Sequence, residues 1–222
     1  MTQRGRVIDL SQTIFSGLVT YPGLPAPKIT PHLTREESRS HYALGTEFAI
    51  DMISMVGNTG TYLDSPFHRY PDGRDLSEID IHDLVGLQAV VFHLVGAQER
   101  GVRQEVFFKQ ELVGTAVLLH TGWDRHFGTE QYGVDAPFLT EPGARYLVEA
   151  GVKLVGIDSV NIDNTQSGGE RPAHSLLLKA GILVVEHLTN LDQLPSHGAR
   201  FSAVPPKVKN FGTFPVRAFA EI

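Results

Sequence analysis

The feature that most constrains this chain is a rhythm repeated in its second half. Thr140-Glu141-Pro142 has the makings of a helix start, with Thr140 as N-cap and a proline inside the first turn. The helix is expected to run to about Ala150, where Gly151 stops it. The apolar run Lys153–Ile157 follows and ends on Asp158. A second helix near His174–Ala180, a second stop at Gly181 and a second run, Ile182–Val185, ending on Glu186, repeat the unit. Helix and strand alternating over such short connections argue for an α/β region.

The first half reads differently. Val7–Leu10, Glu47–Met55, Ala89–Val95 and Thr115–His120 have strand character, the last two as short buried runs, and Tyr21–Pro27 reads as an ordered loop. A β-rich first half joined to an α/β second half predicts a mixed sheet or barrel with helices outside. At 222 residues the chain fits a single domain, 1–222, that buries its core without staples. A net charge of −6 with no Lys/Arg run argues against nucleic-acid binding. Zero cysteines exclude disulfides, thiolate metal sites and a cysteine nucleophile. The early arginines Arg4 and Arg6, Asp9 and Gln12 interrupt any apolar leader, and no apolar run approaches a membrane span. The expectation is a cytoplasmic protein without membrane contact.

Chemistry concentrates in two places. Asn58-Thr59-Gly60-Thr61-Tyr62-Leu63-Asp64-Ser65-Pro66-Phe67-His68 packs an amide, a phenol, a carboxylate and an imidazole into eleven residues. Pro66 disfavours helical conformation at Ser65, so Asp64 and His68 are expected on an irregular loop. His174 follows Arg171-Pro172-Ala173 and opens the second helix. Glu186 ends a strand, where a buried carboxylate is costly unless paired, protonated or bound to a cation. Strand ends in α/β folds are also favoured ligand positions.

The eleven-residue segment resembles the signature H-x-G-T-H-x-D-x-P-x-H of the cyclase-family metal-dependent hydrolases, the group containing bacterial kynurenine formamidase and isatin hydrolase. Gly60, Thr61, Asp64, Pro66 and His68 match, while Asn58 and Tyr62 stand where the first two histidines would be. H-x-x-L-L from His174, followed by I-L-V-V-E ending at Glu186, resembles the family's distal metal motif. Asp9-Leu10-Ser11, Thr121-Gly122-Trp123-Asp124, Val155-Gly156-Ile157-Asp158-Ser159 and Pro215-Val216-Arg217-Ala218 extend the likeness over nearly the whole chain. The resemblance implies a swivelling β/β/α domain that assembles as a homodimer or homotetramer. It also implies Asp64, His174 and Glu186 as metal ligands and His68 as the proton-transfer histidine.

The two substitutions have consequences. An amide oxygen is a weaker ligand than imidazole, and tyrosine is protonated near pH 7, so the first of two metal sites should be lost. One divalent ion, zinc or manganese, held by Asp64, His174 and Glu186 remains sufficient for hydrolysis. No metal at all is the alternative, with Asn58 and Tyr62 donating hydrogen bonds to a substrate carbonyl. The leading expectation is hydrolysis of a small cyclic or aromatic amide, formamide or lactam, with His68 moving protons and Asn58 or Tyr62 stabilising the oxyanion. A metal-free cyclase, dehydratase or isomerase, and a non-catalytic small-molecule binding protein, stay open.

Trp123, His126, Phe127 and Tyr132 form an aromatic-rich loop that would suit the wall of a flat-substrate pocket. His32, His41, His82, His93, His120, His187 and His197 are placed outside the site, His187 facing away from Glu186 if the strand continues. Asn161, Asp163 and Gln166 read as a solvated loop. The chain has neither a P-loop nor G-x-G-x-x-G after a strand, and its serines lack a nucleophile elbow.

Overall fold

Residues 5–222 are described by the computed structural model. Arg4, used above in the leader reading, lies with the rest of residues 1–4 outside the described residues. The first four strands are β1 (Val7–Asp9), β2 (Lys28–Leu33), β3 (Ile50–Ser54) and β4 (Tyr62–Asp64). Then come β5 (Leu87–His93), β6 (Gly101–Val102), β7 (Ala116–His120), β8 (Phe138–Leu139), β9 (Leu154–Ile157) and β10 (Leu183–Glu186). The chain finishes with β11 (His197–Ser202), β12 (Thr213–Pro215) and β13 (Phe219–Glu221). The α-helices are α1 (Arg35–Ser38), α2 (Glu141–Glu149) and α3 (Pro172–Lys179).

Nine strands share one sheet in the order β1-β13-β11-β5-β7-β9-β10-β4-β12. Its centre, β5, β7, β9 and β10, is parallel, and antiparallel strands flank it on both sides. Strands buried on both faces read as continuous apolar runs, which is why β7, β9 and β10 are rich in Val, Leu and Ile. Alternation along them feeds two cores. Val117, Leu119, Val155, Ile157 and Val184 pack under Ala144, Leu147, Ala173 and Leu177 of α2 and α3. Leu118, Leu154, Leu183 and Val185 face the other way, into a core closed by Ile8, Leu63, Phe201 and Ala218. The sheet is thus curled around one core and roofed by helices over the other, as the mixed α/β expectation required.

The local signals hold where they were strong. The Thr140 hydroxyl accepts from the Gly143 amide at 3.2 Å, and Gly151 and Gly181 take positive φ beyond the two helices. Two expectations need correction. α3 begins at Pro172 rather than at His174, because the carboxylate of Asp163 accepts from the Ala173 and His174 amides at 2.7 and 3.0 Å and caps the helix from a distant loop. Asp64 lies not on an irregular loop but at the end of β4, pinned between β10 and β12; only the turn after it, Pro66–His68, leaves the sheet.

That insertion sets the register on which the site depends. Glu186 of β10 lies opposite Tyr62, and Thr213 of β12 lies opposite Asp64. With a side-chain period of two, Tyr62 and Asp64 share the face that carries α3, while Leu63 turns into the opposite core. Just before β12, Gly212 presses on the Pro66–His68 turn. A Cβ there would stand 2.6 Å from the His68 backbone nitrogen and Cα. Gly212→Ala should therefore lower unfolding free energy by about 1–3 kcal/mol in urea denaturation, as overpacking against a fixed backbone does. An unchanged midpoint would show that the turn has room to move.

Candidate active site

The strand end of β10, the short β4 and the first turn of α3 converge on a cavity of about 370 Å³. Asn58, Tyr62, His68, Asn161, His174 and Glu186 line it, with Arg69 and Arg171 among the remaining wall residues. Asp64 is fully buried directly behind. The structure therefore gathers the six residues singled out in the sequence around one space.

His174 is the centre of the arrangement. Its Nδ1 lies 2.7 Å from Asp163 Oδ2, so the ring donates there and its Nε2 faces inward. Nε2 stands 3.5 Å from Asp64 Oδ2 and 3.5 Å from Glu186 Oε1. Glu186 is fixed by the Ile162 amide at 2.6 Å on Oε1 and by the Tyr62 hydroxyl at 2.5 Å on Oε2. Asp64 Oδ2 has no hydrogen-bond partner among the described residues.

The charges follow from this crowding. Burial disfavours a charged His174, yet Asp163, Asp64 and Glu186 outweigh it and raise its pKa to about 10. Burial pushes Glu186 up to about 7 against the pull of His174. Asp64 is buried too, but the imidazoles of His174 and His68 hold it below the usual carboxylate range. Burial, reinforced by Glu186 and Asp64, raises Tyr62 well above the ordinary phenol value, so it is a neutral donor.

His68 belongs to a separate chain of hydrogen bonds. The Thr213 hydroxyl is 2.5 Å from Asp64 Oδ1 and 2.7 Å from His68 Nδ1. A hydroxyl has one proton, and the ionised carboxylate can only accept, so Thr213 donates to Asp64 and His68 Nδ1 donates to Thr213. This leaves His68 Nε2 with a free lone pair on a ring that is 35% exposed at the cavity.

The residues present suit a divalent cation. Asp64, His68 and His174 offer ligand atoms within 4.8 Å of one another, and Glu186 reaches the same inner edge of His174. Ligands about 2.1 Å from a tetrahedral cation sit roughly 3.4 Å apart, close to the spacing around His174 Nε2. The orphaned Asp64 oxygen and the Asp163-oriented imidazole are the usual partners of a bound metal.

Comparison with known proteins gives the same direction. The Cyclase family profile matches residues 8–164. The chain belongs to the cyclase family. Kynurenine formamidase from Bacillus cytotoxicus is 30% identical over 211 residues, covering 95% of each chain. Isatin hydrolase from Roseibium aggregatum is 27% identical over 217 residues, covering 87% of this chain and 82% of its own. A solved structure described as a potential metal-dependent hydrolase with cyclase activity superposes with a TM-score of 0.78 at 27% identity, covering 97% of this chain and 96% of the other.

Several side chains depart from expectation. Asn161 and Asp163 are buried, not solvated, because the 161–163 segment turns inward to supply Ile162 N to Glu186 and Asp163 to His174. Gln166 alone of the three is exposed. Thr213 escaped notice altogether, since nothing local marks a threonine as the bridge between an aspartate and a histidine 145 residues away. The aromatic loop does not wall this cavity. Trp123 lines a second one of about 490 Å³, and Phe127 and Tyr132 pack on His187. Among the histidines placed outside the site, His93 and His120 meet through their Nδ1 atoms at 2.8 Å.

His187 follows Glu186 with φ 60°, so the strand ends there and the ring enters an enclosed aromatic cluster beside Tyr132 and Tyr62. Burial lowers its pKa to about 3, with Asp64 opposing. The unfolded chain takes up this proton near the ordinary value of 6.5, and the folded one resists until about 3. Stability is thus present above pH 6.5 and lost as pH falls toward 3, on the order of 5 kcal/mol in all. In His187→Phe the decline of unfolding free energy between pH 6.5 and 4 should be visibly shallower than in wild type. Parallel declines would assign acid sensitivity to other groups.

Proposed function

We propose that this protein is a metal-dependent hydrolase that cleaves the C–N bond of a small cyclic or aromatic amide, formamide or lactam. The observation that carries the reading is that Asp64 Oδ2 and Glu186 Oε1 each stand 3.5 Å from His174 Nε2 beside a cavity of small-molecule size. Membership of a family with relatives named kynurenine formamidase and isatin hydrolase supports the bond type. We read residues 1–222 as one hydrolase domain.

In this proposal Asp64, His174 and Glu186 hold one zinc or manganese ion. A cation so held supplies Lewis acidity to a carbonyl and lowers the pKa of water. Asp163 keeps His174 in the tautomer that presents Nε2. His68 is the proton carrier. Its free Nε2 takes a proton as water adds to the carbonyl carbon and returns it to the nitrogen as the C–N bond breaks, leaving an amine and a carboxylic acid that releases its proton to solvent. Thr213 and Asp64 hold the ring in the tautomer and orientation this requires.

Asn58 and Tyr62 divide the work expected of either. The proton of the Tyr62 hydroxyl is committed to Glu186, so Tyr62 acts by setting the carboxylate. Asn58 lines the cavity and is the member of the pair placed to donate to a developing oxyanion.

The test is hydrolysis of an aryl formamide and of an aromatic lactam, followed by the ring or amine absorbance. Chelation should abolish turnover, and added zinc or manganese should restore it. His68→Ala should lower kcat by about 10²- to 10⁴-fold with the metal retained, the range for loss of a general acid–base. Full turnover by chelated protein, or by His68→Ala, would contradict the assignment.

A further inference from the structure

At the carboxyl ends of β5 and β7 the structure opens into the second cavity, of about 490 Å³. Leu94 borders it just after β5, and Thr121 and Trp123 border it just after β7. The carboxyl ends of parallel strands are where α/β sheets take their ligands, and the volume is that of a small-molecule site. This wall shares no residue with the catalytic one: Asn58, Tyr62, His68, His174 and Glu186 all lie elsewhere. A molecule held here is bound without meeting the reacting groups.

The wall is apolar and held in place. Leu94, Val102 and Val106 give it aliphatic surface, and Trp123 gives it an aromatic ring. Trp123 Nε1 donates to the Tyr132 carbonyl at 2.9 Å, which fixes the plane of the indole. Thr121 is buried and clamped to Asp158, its hydroxyl donating at 2.5 Å and its amide at 2.9 Å. The Ser159 hydroxyl holds the carbonyl of Pro137, a further wall residue, at 2.7 Å. A fixed ring beside aliphatic side chains suits the flat face of an aromatic ligand.

Charge completes the description of the ligand. Six charged side chains border the cavity, and four of them are matched within the wall: Arg100 with Asp135 at 3.6 Å and Arg103 with Glu99 at 2.7 Å. Arg125 and Glu105 remain, one of each sign, and neither enters an ion pair among the described residues. Arg125 is oriented rather than adrift. Its Nε donates to His126 Nε2 at 3.1 Å, and its Nη1 lies 3.4 Å from where a Cβ on Gly122 would stand, so the guanidinium rests over the turn after β7. We propose that this cavity binds a small aromatic amino acid as its zwitterion, with the ring on Trp123 and the aliphatic wall, the carboxylate on Arg125 and the ammonium on Glu105. A ligand with only an anionic group leaves Glu105 unanswered, and one with only a cationic group faces Arg125. The zwitterion answers both with charge-assisted hydrogen bonds.

Trp123 is the chain's single tryptophan, and it borders this cavity and not the catalytic one, so its emission reads the site directly. The experiment titrates the full chain with phenylalanine, benzoate and phenethylamine and follows tryptophan fluorescence. Phenylalanine should give a saturable change, with benzoate and phenethylamine each binding about tenfold more weakly, the effect of losing one charge-assisted contact. In Arg125→Gln phenylalanine and phenethylamine should bind alike, and in Glu105→Gln phenylalanine and benzoate should. Both substituted side chains are exposed, and circular dichroism melting checks that each variant keeps the wild-type fold. No saturable change with phenylalanine up to its solubility limit would overturn the proposal. Equal affinities for the three ligands would do so too, as would phenylalanine binding that neither substitution weakens. Tighter binding of benzoate than of phenylalanine would assign the cavity to plain carboxylates instead.

Discussion

Three carboxylates buried around one imidazole dictate the rest of this site. Asp64, Asp163 and Glu186 are each shut off from solvent, and His174 is the side chain in contact with all three. Charges buried this way persist only when paired or bound to a cation. The fold meets the requirement with backbone. Ile162 N is aimed at Glu186, and the first amides of α3 are aimed at Asp163. The sheet order follows from the same need, since β4 between β10 and β12 places Tyr62 beside Glu186 and Asp64 beside Thr213.

The replacement of two signature histidines by Asn58 and Tyr62 changes what one side of the cavity can hold. An imidazole there would present a lone pair to a cation. The phenol, with its pKa raised by burial and by Glu186 and Asp64, presents a proton to Glu186 instead. Glu186 Oε2 thereby accepts from Tyr62, while Oε1, which accepts from the Ile162 amide, faces His174. The proposed single ion therefore lies on the His174 side, and Thr213 links His68 to Asp64 at the same site.

How much of this was legible in the sequence depends on where the information lies. β9 and β10 are readable because burial on both faces makes them unbroken apolar runs, and α2 because its cap and stop are local residues. β4 is not. Tyr62-Leu63-Asp64 has one apolar residue between two polar ones, and the pairing that makes it a strand comes from β10 and β12, more than 100 residues away in sequence. The same holds for Asp163 and Thr213. A polar loop and an isolated threonine acquire their roles only when the sheet brings His174 and His68 to them. β3 is the converse case. Glu47–Met55 has the pattern of a strand, but nothing in it says that the strand leaves the main sheet and buries neither face.

The central claim is one cation per chain, held on the His174 side. Calorimetric titration of metal-free protein with zinc, repeated in buffers of different ionisation heat, reads stoichiometry and proton release together. Asp163, Asp64 and Glu186 outweigh burial and favour the protonated form of His174 in the metal-free site, so binding near pH 7 should displace a proton. The account predicts one zinc per chain with a proton released to the buffer, and loss of the site in Glu186→Gln. Two ions per chain, or tight binding unaffected by Glu186→Gln, would contradict it.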